Sequence, residues 1–413
     1  MAFVSQHGER ILPGSVLDVK GYKGSGVHAA IKKKRRDLAV IFSTFPDTAC
    51  AAVFTTNKVQ AAPVMVSRVH AATGRARAIV VNSGCANAVT GPRGLLDAER
   101  TAELAAALLG VKKTEILVAS TGVIGRFLPM DNLETGLRNA IGTLWNGGTS
   151  EDVAEAIMTT DLVPKNVLVE TFIDGVPVRV GGVAKGSGMI HPNMATMLGF
   201  LTTDAAITPQ ALQAALRKVT DRTFNMITVD GDTSTNDMVT VLANGAAGNA
   251  LLTEESPGYP AFVAALQVAC EDLAKKIARD GEGANCLLEV RVKGAKTEAD
   301  ARLAARSVAK SSLVKSAVFG KDPNWGRILA AIGYSGADID PTRINLTLGS
   351  ASGLAKILMD GAPVDVDLEA VRRHLHKEHV IVIADLNVGD ATATAWGCDL
   401  SYDYVKINAE YTT

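Results

Sequence analysis

The sequence predicts a mixed α/β (α+β) fold, and three observations carry the prediction. Short β-branched runs alternate with longer amphipathic stretches from one end of the chain to the other. Hydrophobic residues make up 47% of the 413 residues, ample material for a large core. No internal repeat and no Pro- or Ser-rich linker interrupts the pattern. At roughly 150 residues per domain, the length corresponds to two or three domains or one large one.

The elements follow in order. Leu38–Phe42 is an apolar strand. Ala78–Asn82 reads as a buried strand entering a turn at Ser83-Gly84. Leu95–Leu109 has the spacing of an amphipathic helix and is stopped by Gly110. Glu115–Ala119 is a further strand, running into a turn at Ser120-Thr121-Gly122. Thr208-Pro209 opens a helix over Thr208–Val219, because threonine caps and proline fits the first turn. A longer helix spans Pro260–Ala278, and strands cover Leu287–Val292, Ile344–Leu348 and Val380–Leu386. The order of strands within a sheet is not legible at this level.

Composition narrows the function. Lys+Arg number 42 against 43 Asp+Glu, for a net charge of −1, which argues against a general nucleic-acid binder. Aromatic residues are 5%, too few for single-strand stacking platforms. The five cysteines, Cys50, Cys85, Cys270, Cys286 and Cys398, are widely spaced, so neither a disulfide framework nor a zinc ribbon is expected. Met1–Arg10 lacks the basic-then-apolar layout of a secretory signal, and a reducing, cytoplasmic setting is the expectation. The longest stretch free of Asp, Glu, Lys and Arg is Gly186–Thr203; its His191, Pro192 and Asn193 disqualify it as a bilayer span.

Several motifs have plain structural explanations. Lys32-Lys-Lys-Arg-Arg36 precedes an apolar strand without aromatic interleaving, and reads as a solvated lead-in. His374, His376 and His379 sit where a helix ends; residues two apart on a helix face different directions, so this is not a metal site. Asp230–Asp237 lacks the glycine and the terminal glutamate of a calcium loop, and reads as a hydrogen-bonded loop able to line a site. Gly181–Gly188 lacks the Gly-Lys-Ser/Thr order of a phosphate-binding loop. Cys85, with no paired histidine, reads as inert.

The segment Ala184–Phe200 is sharper. It sets a β-branched hydroxyl, Thr196, directly after a small residue, Ala195, downstream of glycines and a proline. A threonine hydroxyl is a poor nucleophile without an adjacent base. Cutting the chain before Thr196 would supply that base, since an α-amine has an ordinary pKa of about 7.7–8.0. The competing explanation is a buried loop feeding a core strand.

Beyond Lys185–Thr196, further segments bear on the chemistry. They are Asn82-Ser-Gly84, Ser120–Gly125, Met158–Asp161, Val229–Asp237, Asp280–Ala284, Gly320–Arg327 and Asn408–Thr413. In this order they resemble ornithine acetyltransferase, also called glutamate N-acetyltransferase, a self-cleaving family of the cyclic arginine pathway. The resemblance spans nearly the whole chain. It implies a layered sandwich, sheets inside and helices outside, similar to the N-terminal-nucleophile hydrolases, with a smaller C-terminal α/β subdomain. It implies cleavage between Ala195 and Thr196 into an alpha chain, 1–195, and a beta chain, 196–413. Residues 196–289 would complete the sandwich and 290–413 would form the subdomain. By the same resemblance Thr196 is the nucleophile, Thr121 and Gly122 form the oxyanion hole, and Thr159, Lys185, Thr196, Glu282, Asn408 and Thr413 contact substrate. Thr160 is the alternative to Thr159.

The implied reaction moves acetyl from N-acetylornithine to glutamate by way of an acetyl-threonine. It needs no cofactor or metal, acetyl-CoA is a further candidate donor, and the assembly is two alpha and two beta chains. Two departures stand out. Asn285-Cys286 follows Gly283-Ala284 where relatives more often carry Thr-Lys, and His191 stands where many carry Ala. His191 either assists cleavage or packs in the loop. A threonine-nucleophile aminopeptidase or amidase on the same fold, with water as acceptor, is the rival enzyme. A non-catalytic phosphate or nucleotide binder using Gly181–Gly188 is the rival outside enzymes. The balanced charge also divides unevenly: residues 1–195 carry +5 and residues 196–413 carry −6.

Overall fold

Three sheets organise the chain, in a computed structural model that describes residues 3–4, 9–191 and 197–410. The largest has seven strands in the order Phe3–Val4, Arg10–Leu12, Lys165–Ile173, Val176–Lys185, Leu198–Thr203, Met238–Ala243 and Ala49–Phe54. A four-stranded sheet runs Tyr22–Val27, Leu38–Ser43, Ala78–Cys85 and Ile116–Val123. Alternation along the strands gives each sheet two apolar faces. Leu168, Val183, Phe200 and Leu242 of the large sheet pack against Ile41, Ile79, Val81 and Leu117 of the smaller one. The intervening residues point outward. Val40, Val80 and Val118 meet Ala102, Leu133 and Leu137 of the helices Gly91–Leu109 and Met130–Thr143. Val169, Val180, Leu201 and Val241 meet Leu212, Leu216, Leu266 and Leu273 of the helices Pro209–Arg222 and Tyr259–Arg279. The layers are therefore helix, sheet, sheet, helix: the sandwich that the sequence resemblance implied.

A six-stranded sheet draws all its strands from Leu287 onward, with Leu287–Ala295 and His379–Asp385 paired in parallel and Leu287–Ala295 next to the edge strand Ala391–Cys398. Helix Glu298–Lys310 covers it through Ala301, Ala304, Ala305 and Val308. This sheet joins the same apolar cluster as helix Tyr259–Arg279.

The predicted elements are present, with ends displaced by a few residues. One difference has consequences. Ser83-Gly84 and Ser120–Gly122 do not turn; both belong to strands, Ala78–Cys85 and Ile116–Val123, which stay paired in parallel through Ser83↔Thr121 and Gly84↔Gly122. Serine and glycine suggested a reversal, but glycine in a strand also marks close backbone approach.

The remaining motifs resolve locally. Lys33, Lys34 and Arg35 are exposed, while Arg36 pairs with Asp152 (2.8 Å) and Glu155 (2.6 Å). Gly181 and Gly182 lie inside strand Val176–Lys185. His374 meets Ser350 and Ser352, whereas His379 meets Glu289 (3.1 Å). All five cysteines are buried free thiols, and burial raises the Cys85 thiol. Among the described residues, no helix is long and apolar enough to cross a membrane.

Candidate active site

A cleft of about 300 Å³ opens where the two sandwich sheets meet at one end. The four-stranded sheet supplies Thr121 and Gly122, near the end of strand Ile116–Val123. Gly122 has φ +128°, and a Cβ there would lie 2.4 Å from the Gly84 carbonyl carbon, so only glycine fits. Behind this segment, Ser120 donates to Asn82 Oδ1 (2.5 Å), and Asn236 Nδ2 donates to the carbonyls of Ala86 (2.6 Å) and Ser120 (2.8 Å). The loop Asp230–Asp237 thus lines the cleft and is tied into its floor, as its short polar residues suggested.

The seven-stranded sheet supplies Lys185, the last residue of its strand and buried. Its Nζ donates to Thr159 Oγ1 (2.8 Å) and Thr121 Oγ1 (3.4 Å), and stands 3.9 Å from Asp161 Oδ2. Thr159 and Thr160 both line the cleft, and Thr159 is the one joined to Lys185. Behind Lys185, Lys165 is only 1% exposed and bridges Asp161 (2.7 Å) and Asp280 (2.6 Å). Buried charges persist only when paired and hydrogen-bonded. Asp161 meets that condition, accepting from Lys165, Gly186 N (2.7 Å) and Thr159 N (3.0 Å). Burial pushes its carboxyl up, but Lys185 and Lys165 together hold it well below the usual carboxylate range. Burial lowers the Lys185 ammonium, against the pull of Asp161.

The opposite wall is acidic. Glu282 is buried and accepts from Asn408 Nδ2 (2.8 Å), which belongs to helix Tyr402–Glu410. The helix reaches it because Gly283, at φ +70°, leaves room: a Cβ there would sit 2.5 Å from Tyr404 N. Asp230 accepts from Met189 N (2.6 Å) and Ile190 N (2.9 Å), and burial raises its carboxyl. Burial, then Asp230, raises the Tyr404 phenol. Asp237 is 6% exposed; burial raises its carboxyl well above the usual range, against Lys185.

Thr121, Gly122, Thr159, Lys185, Glu282 and Asn408, far apart in sequence, therefore line one cleft. Ala195, Thr196 and Thr413 lie outside the described residues. His191 is adjacent but faces away: its ring meets Thr228 Oγ1 (3.1 Å) and Arg306 (3.1 Å), and burial, Arg306 and Lys310 lower its pKa to about 4. Asn285, the departure beside Glu282, binds Asp399 (2.7 and 2.9 Å). Sequence reasoning gave no individual role to Lys165, Asp237 or Tyr404. A lysine four residues after Asp161 was the available signal for the first, and the acidic motif ending at Asp237 for the second.

A layered α/β sandwich with a polar, charge-lined cleft of this size defines an enzyme acting on a small molecule. The profile of the ArgJ family matches residues 23–413. The arginine biosynthesis bifunctional protein ArgJ of Symbiobacterium thermophilum is 54% identical over 405 residues, covering 97% of this chain and 99% of its own. The protein of the same name from Shouchella clausii is 50% identical, covering 97% of each. A crystal structure of arginine biosynthesis bifunctional protein argJ from Bacillus halodurans is 49% identical, with a TM-score of 0.49, over 51% of this chain and 98% of that one. The chain belongs to the ArgJ family.

Proposed function

We propose that this chain is the acetyltransferase of arginine biosynthesis that moves acetyl from N-acetylornithine to glutamate, processed by its own Thr196. One observation carries the site assignment: Lys185, at the strand end that leads toward Thr196, joins the hydroxyls of Thr159 and Thr121 beside Gly122, in a cleft closed by Glu282 and Asn408.

In the maturation step Thr196 Oγ attacks the Ala195 carbonyl, the acyl group shifts from N to O, and water releases the two chains. Strands Val176–Lys185 and Leu198–Thr203 flank the cut and pair from Lys185↔Leu198 to Val180↔Thr203, which supports chains that stay together afterwards. The freed α-amine serves Thr196 as base. Its hydroxyl takes acetyl from N-acetylornithine, ornithine departs, and glutamate's amine removes the acetyl group. Thr121 and Gly122 stabilise the oxyanion, a contribution of about 3–4 kcal/mol per donor. Lys185 and Thr159 receive the substrate α-carboxylate, and Glu282, with Asn408 and Thr413, meets the rest of the amino acid. The chemistry uses no metal and no cofactor, with acetyl-CoA as a second donor to glutamate. The mature enzyme is a cytoplasmic assembly of two alpha and two beta chains.

The test is a transfer assay with N-acetylornithine or acetyl-CoA as donor and glutamate or water as acceptor, run beside a denaturing gel. The wild-type protein gives two bands and acetylglutamate; Thr196→Ala gives one full-length band and transfer lower by about 10³-fold or more. A single wild-type band sinks the cleavage step, and release of acetate with glutamate ignored makes the enzyme an amidase.

A further inference from the structure

Asp237 lines the cleft, yet the reaction as written assigns it nothing. It immediately precedes strand Met238–Ala243, which runs parallel to Leu198–Thr203 in the register Met238↔Leu198. That register sets Asp237 beside Met197, the residue bonded to Thr196. Met238 N donates to the Met197 carbonyl (3.1 Å), and the Asp237 carboxyl accepts from the Met197 N–H and the Ser234 hydroxyl. Its Oδ2 is buried with no hydrogen-bond partner among the described residues. A buried carboxylate oxygen without a partner is costly, and the neutral acid is the cheaper form there.

We propose that Asp237 is the proton carrier of the acetyl cycle, giving its proton to the departing amine and recovering it from the incoming ammonium. The inference rests on the acetyl-threonine reaction above. In the first half-reaction the Oγ–C bond forms, the amide C–N bond breaks, and the Thr196 α-amine relays the hydroxyl proton to the leaving nitrogen. Ornithine's α-nitrogen is then a neutral amine, and the relay is spent. Asp237 supplies the proton that makes it an ammonium, and is left as carboxylate. Glutamate arrives as an ammonium and cannot attack until it loses a proton; Asp237 takes that proton and is restored. The amine then attacks the ester, the C–N bond forms, the C–O bond breaks, and the α-amine returns a proton to Oγ. No proton is gained or lost over the cycle. Burial, which raises the Asp237 carboxyl, brings it nearer to an amine in basicity, as such an exchange needs. Among the charged groups facing it, Lys185 acts most strongly, with Asp161 and Lys165 behind Lys185. Asp230, Asp232 and Glu282 share the cleft.

The test compares wild type with Asp237→Asn, which keeps shape and removes the proton. Each enzyme is acetylated with N-acetylornithine, then offered glutamate or hydroxylamine, an acceptor that is already a free base near neutral pH. The variant should deacetylate with glutamate about 100-fold more slowly than wild type, and with hydroxylamine within about threefold. Equal slowing with both acceptors, or slowing with neither, overturns the proposal. If the variant does not fold, the wild-type profile decides. Between about pH 6.5 and 8.5, saturated transfer to glutamate should be nearly flat, and a rise of about tenfold per unit, tracking free amine, overturns the carrier. Failure of the wild-type enzyme to transfer at all overturns the acetyltransferase itself, and is seen before any variant is made.

Discussion

The wall of the cleft built before residue 196 brings hydroxyls, a glycine and an ammonium: Thr121, Thr159, Gly122 and Lys185. The wall built after it brings carboxyls: Asp230, Asp232, Asp237 and Glu282. The +5 and −6 of the two halves of the sequence thus have a local counterpart. The walls manage charge differently. On the first, Lys185 and Lys165 share Asp161, and Asp280 reaches across from the later half. On the second, backbone N–H groups satisfy Asp230, an amide satisfies Glu282, and burial drives Asp237 toward its neutral form. A zwitterionic amino acid meets a positive pole on one side and acceptors on the other. Among the described lining residues, the ammonium comes from the earlier half and the carboxylates from the later one.

Removing the positive pole is the largest perturbation of this contrast. Lys185→Met should lower kcat/KM by about 10²–10³-fold, chiefly through KM, because a buried charge-assisted pair to the substrate carboxylate is lost. Steady-state kinetics with N-acetylornithine check it. An unchanged KM would move the α-carboxylate to another part of the cleft.

The two walls were also unequally legible. The apolar strands and helices declared themselves through periodicity, since Leu95–Leu109 or Val380–Leu386 must bury one face wherever they lie. The early wall was readable as segments, but its assembly was not. That depends on parallel pairing between residues 78–85 and 116–123, set by glycines that local rules assign to turns. The buried Lys165 was harder still. An isolated lysine near an aspartate is usually a surface pair, and only the tertiary fold brings Asp280 from 115 residues away. Asp237 was visible as part of a polar motif, yet the burial of an oxygen without a partner among the described residues is a property of packing.

The support behind Lys185 gives the next effect. Asp161→Asn leaves Lys165 and Lys185 buried with one acid fewer, and should cost about 3–5 kcal/mol of stability at neutral pH. Its folded pKa is depressed, so its contribution is fully present above the unfolded value of about 3.9 and is lost as pH falls below it. The gap between wild type and variant, followed by thermal melts, should therefore be constant from about pH 7 to 5 and shrink below about pH 4. A gap that grows on acidification would mean that the two lysines do not hold this carboxylate.

His191 provides the smallest and most discriminating test, because in sequence it borders the segment proposed to be cleaved, and in space it lies beside the acidic wall. Its ring is committed to Arg306 and Thr228, and its folded pKa of about 4 lies below the ordinary value near 6.5. Between those values the unfolded chain binds more protons than the folded one. The contribution of a neutral His191 is thus complete above about pH 6.5 and lost as pH falls toward 4. His191→Gln removes the titration while retaining hydrogen bonding, so its melting temperature should gain on wild type by roughly 1 °C over that window, the ring being only partly buried. The same variant should still yield two bands on a denaturing gel at the wild-type rate, since a ring held by Arg306 is not free to take a proton from a hydroxyl. Slower appearance of the two bands, with the melting curve unchanged, would instead assign His191 to the cleavage step.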